Sequence, residues 1–189
     1  MKIPARYTHT AIILHWLIAL LIIANVGLGL AIERIPDDWI RPVIDTHKSI
    51  GITVLGLVIM RLLWRATHTP PALPADYASW EKRSAHLAHW ALYALMFGLP
   101  ISGWLHDSAW KAAPEIPMHW FGLFEWPRFE FIMQLEPVLK ERLHDVFGAI
   151  HEWFGYVLYG LFALHVGAAL KHQFIDKHAE LQRMWPGKD

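Results

Sequence analysis

The feature that most constrains this chain is a set of long stretches without Asp, Glu, Lys or Arg. Residues 7–32, 84–106 and 153–170 are free of formal charge, and a shorter window, 49–60, continues into Leu62, Leu63 and Trp64. A helix needs about 20 largely apolar residues to cross the hydrocarbon core, and about 17 can suffice. Three stretches meet this length alone, and the fourth does so if Lys48 and Arg61 extend to opposite interfaces. The pattern predicts an all-α integral membrane protein.

We expect a single domain, 1–189, built as a four-helix transmembrane bundle with spans of about 11–32, 46–64, 84–106 and 147–170. A soluble all-α protein with buried helices is the alternative, but repeated charge-free runs of this length are hard to explain without lipid. The first run is also too long for the apolar region of a cleaved signal peptide. The lipid bilayer is therefore the first predicted partner.

Basic residues in the connections predict the orientation. Four spans place both termini on one side, which holds ten Lys and Arg residues against seven on the other side. The positive-inside rule then puts both termini in the cytoplasm. The longest connection, 107–143, becomes an outer loop, and we expect it to cap the membrane surface. Residues 33–45 are expected to form a short outer loop.

Composition narrows the chemistry. The chain has no cysteine, which excludes disulfide scaffolds, thiolate zinc sites, Cys-ligated clusters, Cys nucleophiles and covalently attached haem. Basic and acidic residues balance at 17 each, so no net charge attracts nucleic acid. Histidine, with 13 residues, is the abundant ligand that remains.

The last span carries histidines on one stripe. His144, His151, His165 and His172 follow a sevenfold spacing, with Leu158 in the remaining position. Seven residues make almost two helical turns, so these side chains share one face. His144 and His172, the first and last of the stripe, lie ~42 Å apart along the helix, which exceeds the hydrocarbon core of about 30 Å. His151 and His165 lie ~21 Å apart and fit within the core at two depths.

Two other histidines lie at matching depths. His15 is near the inner end of the first span, like His165, and His47 opens the second span at the outer side, like His151. The predicted pairs are His15 with His165 and His47 with His151. Two stacked bis-imidazole sites in a four-helix bundle are the coordination of b-type haem, which makes two haems b the predicted cofactors. Zinc is the competing metal, although it favours four ligands clustered at one depth.

Gly51 and Gly155, each four residues after a predicted ligand, are expected to leave room for a flat ring against the helix. The third span opens with His86 and His89, which are candidates for cofactor contact at the inner interface, as ligands or as hydrogen-bond donors. The histidines in loops or at helix ends are expected to be surface residues: His9, His68, His106, His119 and His178.

At this point the chain resembles the bacterial di-haem cytochrome b561 family. The matching segments are ILHWLIALLI, IDTHKSIGITVLGLVIMRLLWR, AHLAHWALYALMFGLPISGW and IHEWFGYVLYGLFALHVGAALKHQF, with WFGLFEWP in the outer loop. The resemblance implies haem ligands at His15, His47, His151 and His165. It also implies a multi-pass protein of the bacterial inner membrane that exchanges electrons with ubiquinone. Some members oxidise superoxide, and others anchor partner dehydrogenases or hydrogenases.

Three hypotheses for the function follow. The first is electron transfer between an outer donor and ubiquinone, and superoxide is a candidate donor attracted by Lys48 and Arg41 beside the outer haem. The outer face as a whole carries net negative charge, which opposes this attraction, but a local positive site can persist because screening confines charge effects to about 8–10 Å. The second is a haem-bearing membrane anchor that receives electrons from an outer redox protein docked on 107–143. The third is a structural or metal-transport protein without redox activity.

His172 continues the ligand stripe to the inner interface, too far down to bind the iron of the inner haem. An imidazole with a pKa near about 6.5 can hydrogen-bond a quinone carbonyl and deliver a proton during reduction. We therefore expect His172 to contact ubiquinone. The alternative is an interfacial histidine without a ligand.

Overall fold

A computed structural model describes residues 6–74 and 77–187. Four long helices dominate it: α1 (His9–Ala31), α2 (Asp37–Thr67), α3 (Ser79–Ser108) and α5 (Pro137–Leu170). The shorter elements are a 3-10 turn (Ile32–Arg34), strands β1 (His119–Trp120) and β2 (Phe124–Glu125), helix α4 (Glu130–Met133), a π-helical turn (Lys171–Ile175) and helix α6 (Glu180–Met184).

By length and composition, three helical segments of the described chain are apolar enough to cross a membrane. They are His9–Arg34, Asp37–Thr67 and Pro137–Ile175. Helix α3 contains the third predicted span and has 30 residues, but it is not among these three. The helical membrane character predicted from the sequence is thus present. A fourth crossing and the orientation remain predictions, and both chain termini lie outside the described residues.

Two connections are more helical than the sequence analysis expected. Helix α2 begins at Asp37, so most of the expected loop 33–45 is helix. Helix α5 begins at Pro137, inside the expected loop 107–143. At α5 the start is set locally, because the Glu136 carboxylate accepts the backbone N–H groups of Val138 and Leu139 and Pro137 occupies the first turn. Such caps extend helices beyond the apolar run from which a span is predicted.

The long helices pack as two pairs. Helix α1 packs on α2 and helix α3 on α5, while α2 joins the pairs by packing on α3. The buried cluster between α1, α2 and α3 comprises Ile18, Ile50, Val54, Val58, Tyr93 and Met96. The outward faces also carry large apolar side chains, such as Leu63, Trp90 and Leu164, which are more than half exposed. Apolar surface outside a small core is what a lipid environment allows.

The connection between α3 and α5, predicted to be the outer loop, folds back onto α2. Strands β1 and β2 pair antiparallel around a turn in which Phe121 and Gly122 adopt positive φ, +47° and +71°. The Phe121 backbone N–H donates to Ser49 Oγ at 2.9 Å, and the Trp120 indole donates to Thr53 Oγ1 at 3.1 Å. This hairpin covers the outer half of α2, just beyond His47 in the chain.

Candidate functional site

The imidazole pair predicted for the outer side, called the outer pair, joins α2 to α5. The ring centres of His47 and His151 lie 6.0 Å apart, with their planes inclined by 76°. The Nδ1 atom of His47 bonds the backbone oxygen of Asn25 at 3.0 Å, and Nδ1 of His151 bonds that of Leu99 at 2.9 Å. A carbonyl partner makes Nδ1 the protonated nitrogen, so the Nε2 lone pair of each ring is available to a metal.

The inner pair joins α1 to α5. The ring centres of His15 and His165 lie 6.3 Å apart, at 67°. Nδ1 of His15 is buried and has no hydrogen-bond partner in the described chain. His89 of α3 lies beside this pair, with its ring centre 5.5 Å from that of His165. The inner site therefore contains a third imidazole, whereas His86 is exposed.

These separations fit one metal ion between each pair. With a metal–nitrogen bond of about 2 Å and about 1.1 Å from nitrogen to ring centre, two imidazoles that held one ion between them would have ring centres about 6 Å apart. Both pairs match this value. A clustered zinc site is a poorer fit, because the one group of three His or acidic ligands found in residues 6–74 and 77–187 comprises Glu81, His172 and Asp176, away from both pairs. The geometry favours two-ligand sites at two depths.

Glycines let the outer rings approach neighbouring helices. A Cβ atom at Gly29 would lie 3.4 Å from the His47 ring, and one at Gly103 would lie 3.1 Å from the His151 ring. Sequence analysis did not single out these two positions. The two glycines that it named, Gly51 and Gly155, face Asn25 and Tyr159 at ordinary contact distances. Their role beside a cofactor stays a prediction.

Charged residues next to the outer pair form a cluster around one buried carboxylate. Asp107, only 5% exposed, bonds Lys48 Nζ and, at 2.7 Å, Arg128 Nε. The sequence did not indicate this partner for Lys48. Arg41 bonds Asp45 at 3.0 Å and lies over the Trp110 ring, 5.3 Å from its centre. Two cations thus share one buried carboxylate, a feature that sequence spacing alone does not show.

The Asp107 carboxylate should matter for stability. Burial by itself raises the pKa of Asp107, but Lys48 and Arg128 outweigh it and hold the pKa below its usual value. Its contribution is therefore complete above the unfolded pKa of about 3.9 and is lost as the pH falls through the lower folded value. We expect Asp107→Ala to cost about 3–5 kcal/mol at neutral pH, because it leaves two cations without their buried partner.

Thermal unfolding followed by circular dichroism measures this effect. The control is Asp45→Ala, which removes a half-exposed carboxylate from an i,i+4 pair and should cost less than about 1 kcal/mol. Equal losses in the two variants at neutral pH would contradict the structural role of Asp107.

His106 is not the surface residue expected from the sequence. Its ring stacks on that of His144, with the ring centres 3.8 Å apart and the planes at 18°. Each Nδ1 bonds the backbone oxygen of the other residue, at 2.9 and 3.0 Å. This stacked pair ties the outer ends of α3 and α5 together, one heptad above His151. The sevenfold spacing drew attention to His144, but no pattern in the sequence indicated that His106 is its partner.

At the inner end His172 belongs to a polar cluster. Its Nδ1 bonds Asp176 Oδ2 at 2.7 Å, and its ring stacks on Tyr77 with centres 4.5 Å apart. Lys171 Nζ bridges Asp176 at 2.7 Å and Glu81 at 3.2 Å, and its hydrogen bond lowers the pKa of Asp176. Because the ammonium group already lies between the carboxylates, the cluster is a poor site for a metal ion. The Nε2 atom of His172 is left for a ligand.

A mostly helical membrane protein with two imidazole pairs at different depths has the arrangement of a membrane cytochrome b. A family model described as prokaryotic cytochrome b561 matches residues 6–187. The chain belongs to the prokaryotic cytochrome b561 family. Membership in this family implies b-type haem binding and electron transfer in a bacterial membrane, in agreement with the resemblance noted above.

Three curated relatives cover almost the whole chain. Cytochrome b561 homolog 2 of Escherichia coli (strain K12) is 33% identical over 96% of this chain and 92% of its own length. The probable superoxide oxidase CybB of Yersinia pestis is 30% identical over 97% of both chains. Cytochrome b561 homolog 1 of Escherichia coli (strain K12) is 27% identical over 96% of this chain and 97% of its own length.

Proposed function

We propose that the protein carries electrons through two b-type haems from a donor at the outer face to ubiquinone at the inner face. The observation that carries this proposal is the presence of two imidazole pairs at two depths of the helical bundle. The ring centres lie 6.0 Å apart within one pair and 6.3 Å apart within the other. His151 and His165 are 14 residues apart on α5, ~21 Å along the axis. Two haems would divide the membrane thickness, about 30 Å, into shorter electron-transfer distances.

When bound, each haem supplies an iron that accepts and returns one electron. His47 and His151 would hold the outer group, with the backbone oxygens of Asn25 and Leu99 fixing the orientation of the rings. His15 and His165 would hold the inner group. The apolar helix faces around them would exclude water, which stabilises neutral imidazoles as ligands.

Superoxide is the donor that we propose. A relative is named as a probable superoxide oxidase, and the outer cluster holds more positive than negative groups next to His47. Lys48 and Arg128 outnumber Asp107, so the cluster keeps a local positive charge that can attract an anion. Two superoxide ions would each lose one electron and leave as oxygen, and the two electrons with two protons would convert ubiquinone to ubiquinol.

The test uses the purified chain alone, supplied with superoxide and a soluble ubiquinone analogue in detergent. We expect quinol to form at a rate close to the diffusional limit of about 10⁸–10⁹ M⁻¹s⁻¹ and to fall as ionic strength rises. Haem that is reduced by dithionite but not by superoxide would contradict the proposed donor. It would favour the anchor hypothesis, in which a redox protein docks on the outer connection.

For the quinone, we propose that His172 donates a hydrogen bond and a proton through Nε2. Its Nδ1 is already held by Asp176, and Tyr77 fixes the plane of the ring. We expect His172→Ala to keep both haems and their reduction by dithionite, yet to slow quinone reduction at least tenfold, ~1.4 kcal/mol in the barrier. His9→Ala, at the exposed start of α1, is the control. Unchanged quinone kinetics in His172→Ala would place the quinone elsewhere.

A further inference from the structure

Arginines converge at the inner end of the bundle. A cavity of about 130 Å³ lies between α1, α2 and α3, and Arg6, Arg61, Arg65 and Tyr93 are among its lining residues. The guanidinium carbons of Arg61 and Arg65 lie 5.5 and 5.9 Å from the centre of the Tyr93 ring. Arg6 is engaged with the backbone oxygens of Trp185 and Gly187. The guanidinium groups of Arg61 and Arg65 thus lie beside the same aromatic ring.

These two arginines lack an acidic partner. Across residues 6–74 and 77–187, no carboxylate lies within ion-pair distance of Arg61 or Arg65, whereas Arg41, Arg128 and Arg183 each have one. Arg61 also lies six residues before the end of α2, within a segment apolar enough to cross a membrane. Ionised groups at such positions are costly unless an anion or a cavity compensates them. The arrangement calls for an anionic ligand.

The ligand must lie close to the inner imidazole pair. Ala11 and Tyr93 also line the cavity, and each lies one helical turn from an imidazole of the inner site, His15 on α1 and His89 on α3. A b-type haem held there brings two propionate carboxylates, and Arg binds carboxylates through two parallel hydrogen bonds. Two guanidinium groups would then lie beside a haem that carries two carboxylates.

We propose that Arg61 and Arg65 form a carboxylate-binding site for the propionates of the inner haem. The proposal rests on the proposed function, because it requires a haem at His15 and His165. Tyr93 would position both guanidinium groups through its ring face. The phosphate of an anionic phospholipid offers the same chemistry from the membrane, so the experiment has to distinguish the two sources.

The experiment compares haem with its dimethyl ester, in which the propionates are uncharged. It is carried out in the full-length His151→Ala chain, which should keep only the inner site. We expect this chain to bind haem at least tenfold more tightly than the ester. Arg61→Gln combined with Arg65→Gln should abolish that preference. Arg61→Lys retains the charge but not the planar guanidinium group, so it should keep part of the preference. This conservative variant is a safeguard in case the double variant fails to fold.

Arg142→Gln removes the same charge from an exposed position on α5 and should change nothing. The midpoint potential of the inner haem is a second readout, and it should fall in Arg61→Gln because a nearby cation favours the reduced form. Bound phospholipid is measured in the same samples by native mass spectrometry. An unaltered preference for haem, with loss of anionic lipid in the double variant, would overturn the propionate assignment in favour of lipid.

An equal affinity for haem and ester in the parent chain would overturn the assignment while leaving the haem site intact. A parent chain that binds no haem would instead overturn the proposed function, and this assignment with it. The two failures are therefore distinguishable.

Discussion

His151→Ala should lower the haem content from two groups per chain to one and abolish electron uptake from superoxide. The substitution removes one of the two imidazoles, 6.0 Å apart, that face each other at the outer site. We expect superoxide-driven quinone reduction to fall at least a hundredfold, ~2.7 kcal/mol in the barrier. The measurement is the haem-to-protein ratio together with the reduced-minus-oxidised spectrum, in which the inner haem should be unchanged.

The matched control is His144→Ala, on the same face of α5 one heptad away. It disrupts the stack with His106 but touches neither predicted ligand pair, so two haems should remain. His47→Ala should reproduce His151→Ala. Loss of both haems from a folded His151→Ala protein would show that the two sites are not independent, and the pairing by depth would be wrong.

His165→Ala should remove the inner haem and leave the outer one reducible, so that electrons enter but do not reach quinone. His165 is the informative choice because both His15 and His89 lie near its ring, at 6.3 and 5.5 Å between centres. Replacing their common neighbour leaves no alternative ligand on α5 at this depth. We expect quinone reduction to fall at least a hundredfold, as measured by stopped-flow absorbance with separate traces for haem and quinone.

Two further variants assign the ligand opposite His165. His15→Ala should lose the inner haem, and His89→Ala should keep it. The reverse pattern would mean that α3, rather than α1, supplies the second ligand.

The helices and the pairing of histidines were accessible from the sequence because both follow from spacing. Apolar runs set the approximate positions of the spans, and the sevenfold stripe set the depths of His151 and His165. The structure brings the rings of His15 and His165, and of His47 and His151, next to each other. The ends of helices were less accessible, since the Glu136 cap and the start of α2 at Asp37 lie outside the apolar runs.

Contacts between distant segments were not accessible. Asp107 pairs with Lys48 and Arg128 only because the connection between α3 and α5 folds back, and no local pattern in the sequence predicts that cluster. The contact of Arg61 with the Tyr93 ring from α3 was not predicted either. The backbone oxygen of Asn25, which accepts the His47 hydrogen bond, offered no signal, because every residue carries such a group.

The most direct test of the account is the number of haems b bound to one chain. The purified protein is analysed by the pyridine haemochrome method after acid-acetone extraction, with protein determined by amino-acid analysis. We expect two haems b per chain, both extractable because no cysteine can hold them covalently, and both low-spin, as expected for bis-imidazole iron. A ratio near one, or a protein without a Soret band, would contradict it.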